Sequence, residues 1–164
     1  MAIRKIRLYG DPVLRTVAEP VTEFGAASRT LAQDLLDTLD VPGRAGVAAP
    51  QIGVPRRAFS YGVAGRRGVV FNPVLVSGDG EQLDDEGCLS VPGLWFPTRR
   101  DGYAAVEGFD ADGAPVRVEG EDELARCLQH EVDHLDGVVY IHRLEPSIRR
   151  GAMRDIRRSA WFAG

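Results

Sequence analysis

The feature that most constrains the fold of this chain is a pair of histidines four residues apart, His130 and His134. Positions i and i+4 of an α-helix lie on one face, so a helix here would bring both imidazoles to one point. Glu131 follows the first histidine directly, where a carboxylate can act as a base beside a bound metal ion. The spacing therefore predicts a helix that supplies two metal ligands.

A third ligand is available upstream, in the segment 86–90, which reads Glu-Gly-Cys-Leu-Ser. The thiolate of Cys88, two imidazoles and one water make a four-coordinate site with an open position for chemistry. We interpret this segment as a loop that exposes the sulfur and the neighbouring backbone amides. The other cysteine, Cys127, lies three residues before His130, and we assign it to the core or to a pocket wall.

Gln51 is a further candidate, because it follows the small-residue run Gly-Val-Ala-Ala-Pro at 46–50. Small residues let the backbone approach another group closely. A glutamine held there can aim its amide N–H at an oxygen that becomes negative during a reaction.

The whole chain reads as one domain, residues 1–164, with a formal net charge of −4. This acidic balance does not suit sequence-specific nucleic-acid binding. No apolar run approaches the ~18 residues of a membrane span, and the first residues do not form a secretory leader. With only two cysteines and no leader, the sequence predicts a cytoplasmic protein that does not bind membranes.

The pattern of apolar residues predicts an α+β fold, with mainly antiparallel strands packed around the central metal-ligand helix. The predicted helices lie at 28–39, at 121–136 and from Pro146 onward. The predicted strands lie at 58–63, at 69–76, between 98 and 109, at 114–119 and at 138–141. Residues 110–113, Asp-Ala-Asp-Gly, are expected to connect a hairpin.

Three segments, 46–51, 86–90 and 129–135, occur in the order and with the residues of the three motifs of peptide deformylases, which the chain resembles over essentially its whole length. The segments 9–15 and 71–73 are also similar to that family. The resemblance implies hydrolysis of the formyl group from the N-terminal formylmethionine of new polypeptides. It also implies Fe²⁺ as the metal, with Zn²⁺, Ni²⁺ or Co²⁺ as possible substitutes.

The resemblance assigns roles to the motif residues. Cys88, His130 and His134 would hold the metal, and Glu131 would take a proton from water and deliver it to the leaving amine. From the residues alone, we also expect Glu86 to orient one of the ligand histidines.

The same resemblance describes how a formyl peptide would bind. The Gln51 side chain and the Leu89 backbone N–H would stabilise the oxyanion, while the backbone of Gly46 would pair with the peptide in β-like fashion. The segment 94–96 is expected either to close one side of the pocket or to cover the core. The predicted pocket for the methionine side chain consists of Ala45, Leu124 and Cys127.

One position departs from the family pattern, because Arg44 stands where a glycine is usual. We interpret Arg44 as a residue of the pocket rim that faces solvent or touches the substrate. The arginine-rich final helix is interpreted as a solvated packing helix, with docking to ribosomal RNA as the alternative.

Two other functions stay open at this stage. Another metallopeptidase with the same histidine motif would take its third ligand downstream, where His142 and Glu145 lie. A non-enzymatic, metal-stabilised peptide-binding module would need a fourth protein ligand, for which Cys127 is the candidate.

Overall fold

The computed structural model describes residues 2–162, so residues 1, 163 and 164 of the predicted domain lie outside the described part. The helices are α1 (Ala26–Leu39), α2 (Asp122–Leu135) and α3 (Pro146–Arg158). The strands are β1 (Gly46–Ala48), β2 (Ala58–Val63), β3 (Arg66–Asp79), β4 (Gln82–Cys88), β5 (Val91–Arg100), β6 (Tyr103–Phe109) and β7 (Pro115–Glu121).

Five strands form one sheet in the order β1-β2-β3-β6-β7, and every neighbouring pair is antiparallel. Strands β4 and β5 form a separate antiparallel hairpin. The predicted α+β fold with mainly antiparallel strands is confirmed.

The five-stranded sheet separates two cores, because successive side chains of a strand point to opposite faces. Phe59 and Tyr61 of β2 belong to the core beneath α2. Ala58 belongs to the core beneath α1, and Ser60 donates a hydrogen bond to the Leu35 carbonyl of that helix. Helix α2 is buried at every residue from Leu124 to Leu135, so it occupies the predicted central position.

Two local predictions are wrong. The predicted strand 138–141 is replaced by a 3₁₀ turn at Tyr140–Arg143, because its backbone bonds locally while its apolar side chains fill a core cluster. The predicted loop at 86–90 is mostly strand: Cys88 ends β4, Val91 begins β5, and Leu89 and Ser90 form the turn between them.

None of the helices within residues 2–162 has the length and apolar character required to cross a bilayer.

Candidate metal centre

The structure brings the three predicted metal ligands together. His130 and His134 share one face of α2, with ring centroids 4.9 Å apart. The end of β4 places the Cys88 sulfur 3.3 Å from His134 Nε2. One ligand atom from each of the three residues lies within 4.8 Å of the others, so a single ion can contact all three.

Glu86 fixes the orientation of His130, as expected. Its Oε1 lies 2.5 Å from His130 Nδ1. A carboxylate accepts, so a neutral imidazole donates through Nδ1 and leaves the lone pair of Nε2 for a metal. Burial raises the pKa of Glu86, but hydrogen bonds and charges from His130 and Arg100 outweigh it and hold that pKa well below its usual value.

The electrostatics of the site suit a divalent cation. Burial lowers the pKa of His130, yet contacts with the sulfur of Cys88 and the carboxylate of Glu86 outweigh it and raise this pKa well above its usual value. The surroundings of His130 therefore favour a positive charge, which a bound metal ion can supply in place of a proton. Burial and the neighbouring His130 keep the pKa of His134 well below its usual value, so this imidazole is a neutral donor. One sulfur and two nitrogens are ligands that both Fe²⁺ and Zn²⁺ accept.

Glu131 lies beside the ligands without a fixed partner. Its side chain is buried, and Oε2 has no hydrogen-bond partner among residues 2–162. Burial raises the pKa of Glu131 to about 7. A Cβ at position 46 would collide with this carboxyl group, which explains why the chain has glycine there. Glu131 is thus positioned to exchange protons near neutral pH.

Gln51 is held rigidly in the 3₁₀ turn Ala49–Ile52 that follows β1. Its Oε1 accepts a hydrogen bond of 2.9 Å from the Ala48 backbone N–H, which sets the direction of the amide. Its Nε2 donates to Ser90 Oγ at 3.2 Å and approaches the Cys88 sulfur at 3.6 Å. The donor side of the amide therefore faces the metal ligands.

A buried ionic network that the sequence analysis missed supports Glu86. Arg100 donates two hydrogen bonds to Glu86 and one to Asp133 of α2, and its side chain is only 3% exposed. Arg126 donates to Glu86 and Arg143 to Asp133. The alternation of side chains along β5 is the signal that could have placed Arg100 inside the protein, since Phe96, Thr98 and Arg100 share the face that packs inward.

We expect Arg100→Met to lower the free energy of unfolding by about 3–5 kcal/mol, because it removes the buried cation that the buried carboxylates of Glu86 and Asp133 share. The control is Arg99→Met, which removes an exposed partner of Glu81 and should cost within about 1 kcal/mol. Urea unfolding at equal metal content measures both, and equal effects would contradict the assignment.

A cavity of about 630 Å³ opens beside the three ligands. Its wall includes the predicted residues Gly46, Gln51, Cys88, Leu89, His130, Glu131, Ala45 and Cys127. The predicted pocket residue Leu124 is not part of this wall, because its side chain packs over Gly120 in the core.

Two further expectations are resolved at this cavity. Leu94 and Trp95 line it, whereas Phe96 packs against the inner cluster around Tyr140. Arg44 also lines it, with a negative φ and with its guanidinium bound to the Thr38 carbonyl at the end of α1. The backbone at position 44 therefore does not need a glycine, and a hydrogen bond to the protein's own backbone fixes the guanidinium of Arg44.

The residues proposed for the other functions lie elsewhere. His142 Nε2 is 3.3 Å from the Tyr9 hydroxyl, outside the ligand group. The Cys127 thiol contacts the Ala45 carbonyl, and burial raises its pKa well above the usual value. Neither residue joins Cys88, His130 and His134 in the cluster found among residues 2–162.

A second cavity of about 660 Å³ lies on another side of α2. The arginines in its wall are neutralised by neighbouring carboxylates, in the pairs Arg57–Asp136, Arg99–Glu81 and Arg143–Asp133. The metal-ligand cluster is not part of its wall, so the candidate site is the cavity beside Cys88.

Comparison with known proteins agrees with this geometry. The family model described as polypeptide deformylase matches residues 3–150. A peptide deformylase of Acidothermus cellulolyticus is 55% identical over 162 residues, which covers 98% of this chain and 89% of that protein. A peptide deformylase of Legionella pneumophila superimposes with a TM-score of 0.89 at 40% identity, covering 96% of this chain and 95% of the other.

The fold is that of a metallohydrolase, and Cys88, His130 and His134 form a possible metal-binding group in it. The chain belongs to the peptide deformylase family. It is an enzyme that removes the formyl group from nascent polypeptides.

Proposed function

We propose that Cys88, His130 and His134 hold the catalytic metal of this enzyme and that the ion is Fe²⁺, with Zn²⁺, Ni²⁺ or Co²⁺ as possible substitutes. The convergence of their ligand atoms within 4.8 Å supports this assignment. When bound, the divalent cation supplies Lewis-acid activation of water near neutral pH. Glu86 keeps His130 in the tautomer that coordination requires.

Glu131 is the proton carrier of the reaction. Water adds to the formyl carbon, and Glu131 accepts a proton from this water. Glu131 then passes the proton to the methionine nitrogen as the bond between that nitrogen and the formyl carbon breaks. The products are formate and a free amino terminus. The buried, unpaired Oε2 and the raised pKa of Glu131 support this role.

Gln51 and the backbone N–H of Leu89 stabilise the oxyanion that forms on the formyl oxygen. The support is the Gln51 amide, whose oxygen is engaged by Ala48 and whose N–H group faces Cys88 and Ser90. Because this donor is in place before substrate binds, it needs no reorganisation during the reaction.

The peptide binds along β1. This strand begins the five-stranded sheet, so one of its edges is unpaired within the described residues. Gly46 lines the cavity at this edge, where an extended peptide can add as a further strand. Ala45 and Cys127 are in contact beside it, and they form the apolar wall for the methionine side chain.

The convergence of Cys88, His130 and His134 carries the proposal. The test is an anaerobic assay of the iron-loaded protein on a formyl-methionyl peptide, with metal analysis of the same sample. We expect release of formate at about one metal ion per chain. Peptide-bond cleavage, or turnover by metal-free protein, would contradict the proposal.

The cytoplasm is the proposed location, because the substrate is a nascent polypeptide and both cysteines are free thiols.

The exposed arginines of α3 leave two interpretations of that helix. The burial of Ala152 and Ile156 supports the packing role. Docking to ribosomal RNA is the alternative, and binding to ribosomes that weakens steeply with salt would favour it.

A further inference from the structure

The N-terminal segment 6–9 crosses between the two turns that carry the proposed oxyanion donors. The backbone N–H of Arg7 donates a hydrogen bond of 2.7 Å to the carbonyl of Gln51. Two residues further on, the N–H of Tyr9 donates a hydrogen bond of 2.8 Å to the carbonyl of Ser90. The segment therefore bridges the 3₁₀ turn after β1 and the turn between β4 and β5.

These two turns belong to different parts of the fold. Gln51 follows β1 of the five-stranded sheet, whereas Leu89 lies in the β4–β5 hairpin, which is separate from that sheet. The hydrogen bonds of the sheet therefore do not set the distance between the Gln51 amide and the Leu89 N–H. The Gln51 amide itself reaches the hairpin, through Ser90 Oγ at 3.2 Å, but this amide must also serve the oxyanion. A link that leaves the amide available has to come from elsewhere, and segment 6–9 supplies it.

Side-chain contacts anchor both backbone donors of the segment. The guanidinium of Arg7 lies against Gly53, which ends the Gln51 turn, and a Cβ at Gly53 would lie 3.0 Å from Arg7 Nε. Tyr9 is half-buried, and its hydroxyl lies 3.3 Å from Nε2 of His142. The two N–H groups are therefore held by the surrounding protein as well as by their own hydrogen bonds.

We propose that Arg7 and Tyr9 are positioning residues of the deformylation reaction, whose backbone N–H groups hold the two turns at the separation that lets Gln51 and Leu89 reach one oxyanion. This inference rests on the proposed oxyanion donors. Such donors accelerate a reaction only if they are in place before the charge develops, and a displacement of about 1 Å can cost about 100-fold in rate. Because the oxyanion exists only in the transition state, loss of either hydrogen bond should lower kcat and leave KM nearly unchanged.

The test replaces each donor by proline, which has no backbone N–H. We expect Arg7→Pro and Tyr9→Pro to lower kcat about 10–100-fold on formyl-Met-Ala-Ala, with KM within about threefold of the parent value. Arg7→Ala keeps the N–H and should lower kcat less than Arg7→Pro does. The matched control is Lys5→Pro, because Lys5 is exposed and its N–H bonds to no group among residues 2–162. This control should change kcat less than about twofold.

A double-mutant cycle separates positioning from a general loss of structure. Gln51→Ala removes the donor that Arg7 positions, and alone it should lower kcat about 10²–10³-fold. In that background, Arg7→Pro should lower kcat less than about twofold further, because there is no amide left to misplace. Additive effects in folded variants with full metal content would overturn the proposal.

Hydrogen exchange in the zinc-loaded parent protein tests the same two hydrogen bonds without any substitution. We expect the backbone amides of Arg7 and Tyr9 to exchange at least about 100-fold more slowly than that of Lys5, relative to their rates in an unfolded chain. NMR measures these rates residue by residue. Exchange of all three amides at the unfolded-chain rate would overturn the proposal, even if the proline variants did not fold.

The remaining outcomes separate this positioning role from the enzyme's function. Parent-like kcat in both proline variants would overturn the positioning role alone, and so would a raised KM with unchanged kcat. Full activity of Gln51→Ala would contradict the donor assignment on which the inference rests. A parent protein that hydrolyses no formyl peptide would instead contradict the proposed function.

Discussion

Glu131→Gln is expected to lower kcat about 10²–10⁴-fold, with little change in KM, because the amide cannot carry a proton between water and the leaving amine. The substitution preserves the shape of a buried side chain. It does not break a hydrogen bond to Oε2, since that atom has no partner among residues 2–162. Steady-state kinetics on a formyl-methionyl peptide, at full metal occupancy, measure the effect.

The control is Glu121→Gln, which removes a carboxylate at the start of the same helix. Glu121 is exposed and lies outside the cavity wall, so its loss should change kcat less than about twofold. Metal analysis of both variants shows whether coordination is intact. If Glu131→Gln binds the metal fully and turns over like the parent, Glu131 is not the proton carrier.

The central helix could be predicted from sequence because several independent signals agree there. The histidine spacing fixes a helical face, and Asp122 and Glu123 suit the positive end of the helix dipole. The predicted helix 121–136 differs from the observed Asp122–Leu135 by one residue at each end. The three candidate ligands, Cys88, His130 and His134, could be proposed because a metal site requires particular ligand types at one point.

The β4–β5 hairpin could not be predicted, because its buried face is polar. Pattern analysis expects apolar residues on the inner face of a strand. Here Glu86, Thr98 and Arg100 point inward and satisfy one another or the helix, which sequence alone does not reveal. At 138–141 the sequence predicted a strand that does not form. The apolar run there reflects burial of a 3₁₀ turn in the core and not pairing in a sheet.

Cys88→Ala should remove most of the bound metal and, with it, the deformylase activity. The two imidazoles would remain on one face of α2, but the site would lose its only sulfur donor and the anionic ligand that offsets the cation's charge. Loss of an outer partner of a ligand commonly costs 10–100-fold in affinity, so loss of a ligand itself should cost more than about 100-fold. Competition with a chelator of known affinity measures the change.

Cys127→Ala separates the ligand role from a general need for a thiol near the helix. The Cys127 thiol lies against the Ala45 carbonyl, and it is not part of the ligand cluster. This variant should therefore keep full metal content, whatever it does to binding of the methionine side chain. If Cys88→Ala keeps its metal and its activity, the third ligand comes from elsewhere, and the site is that of a different kind of metallohydrolase. If Cys127→Ala loses the metal, the structural assignment of its thiol is wrong.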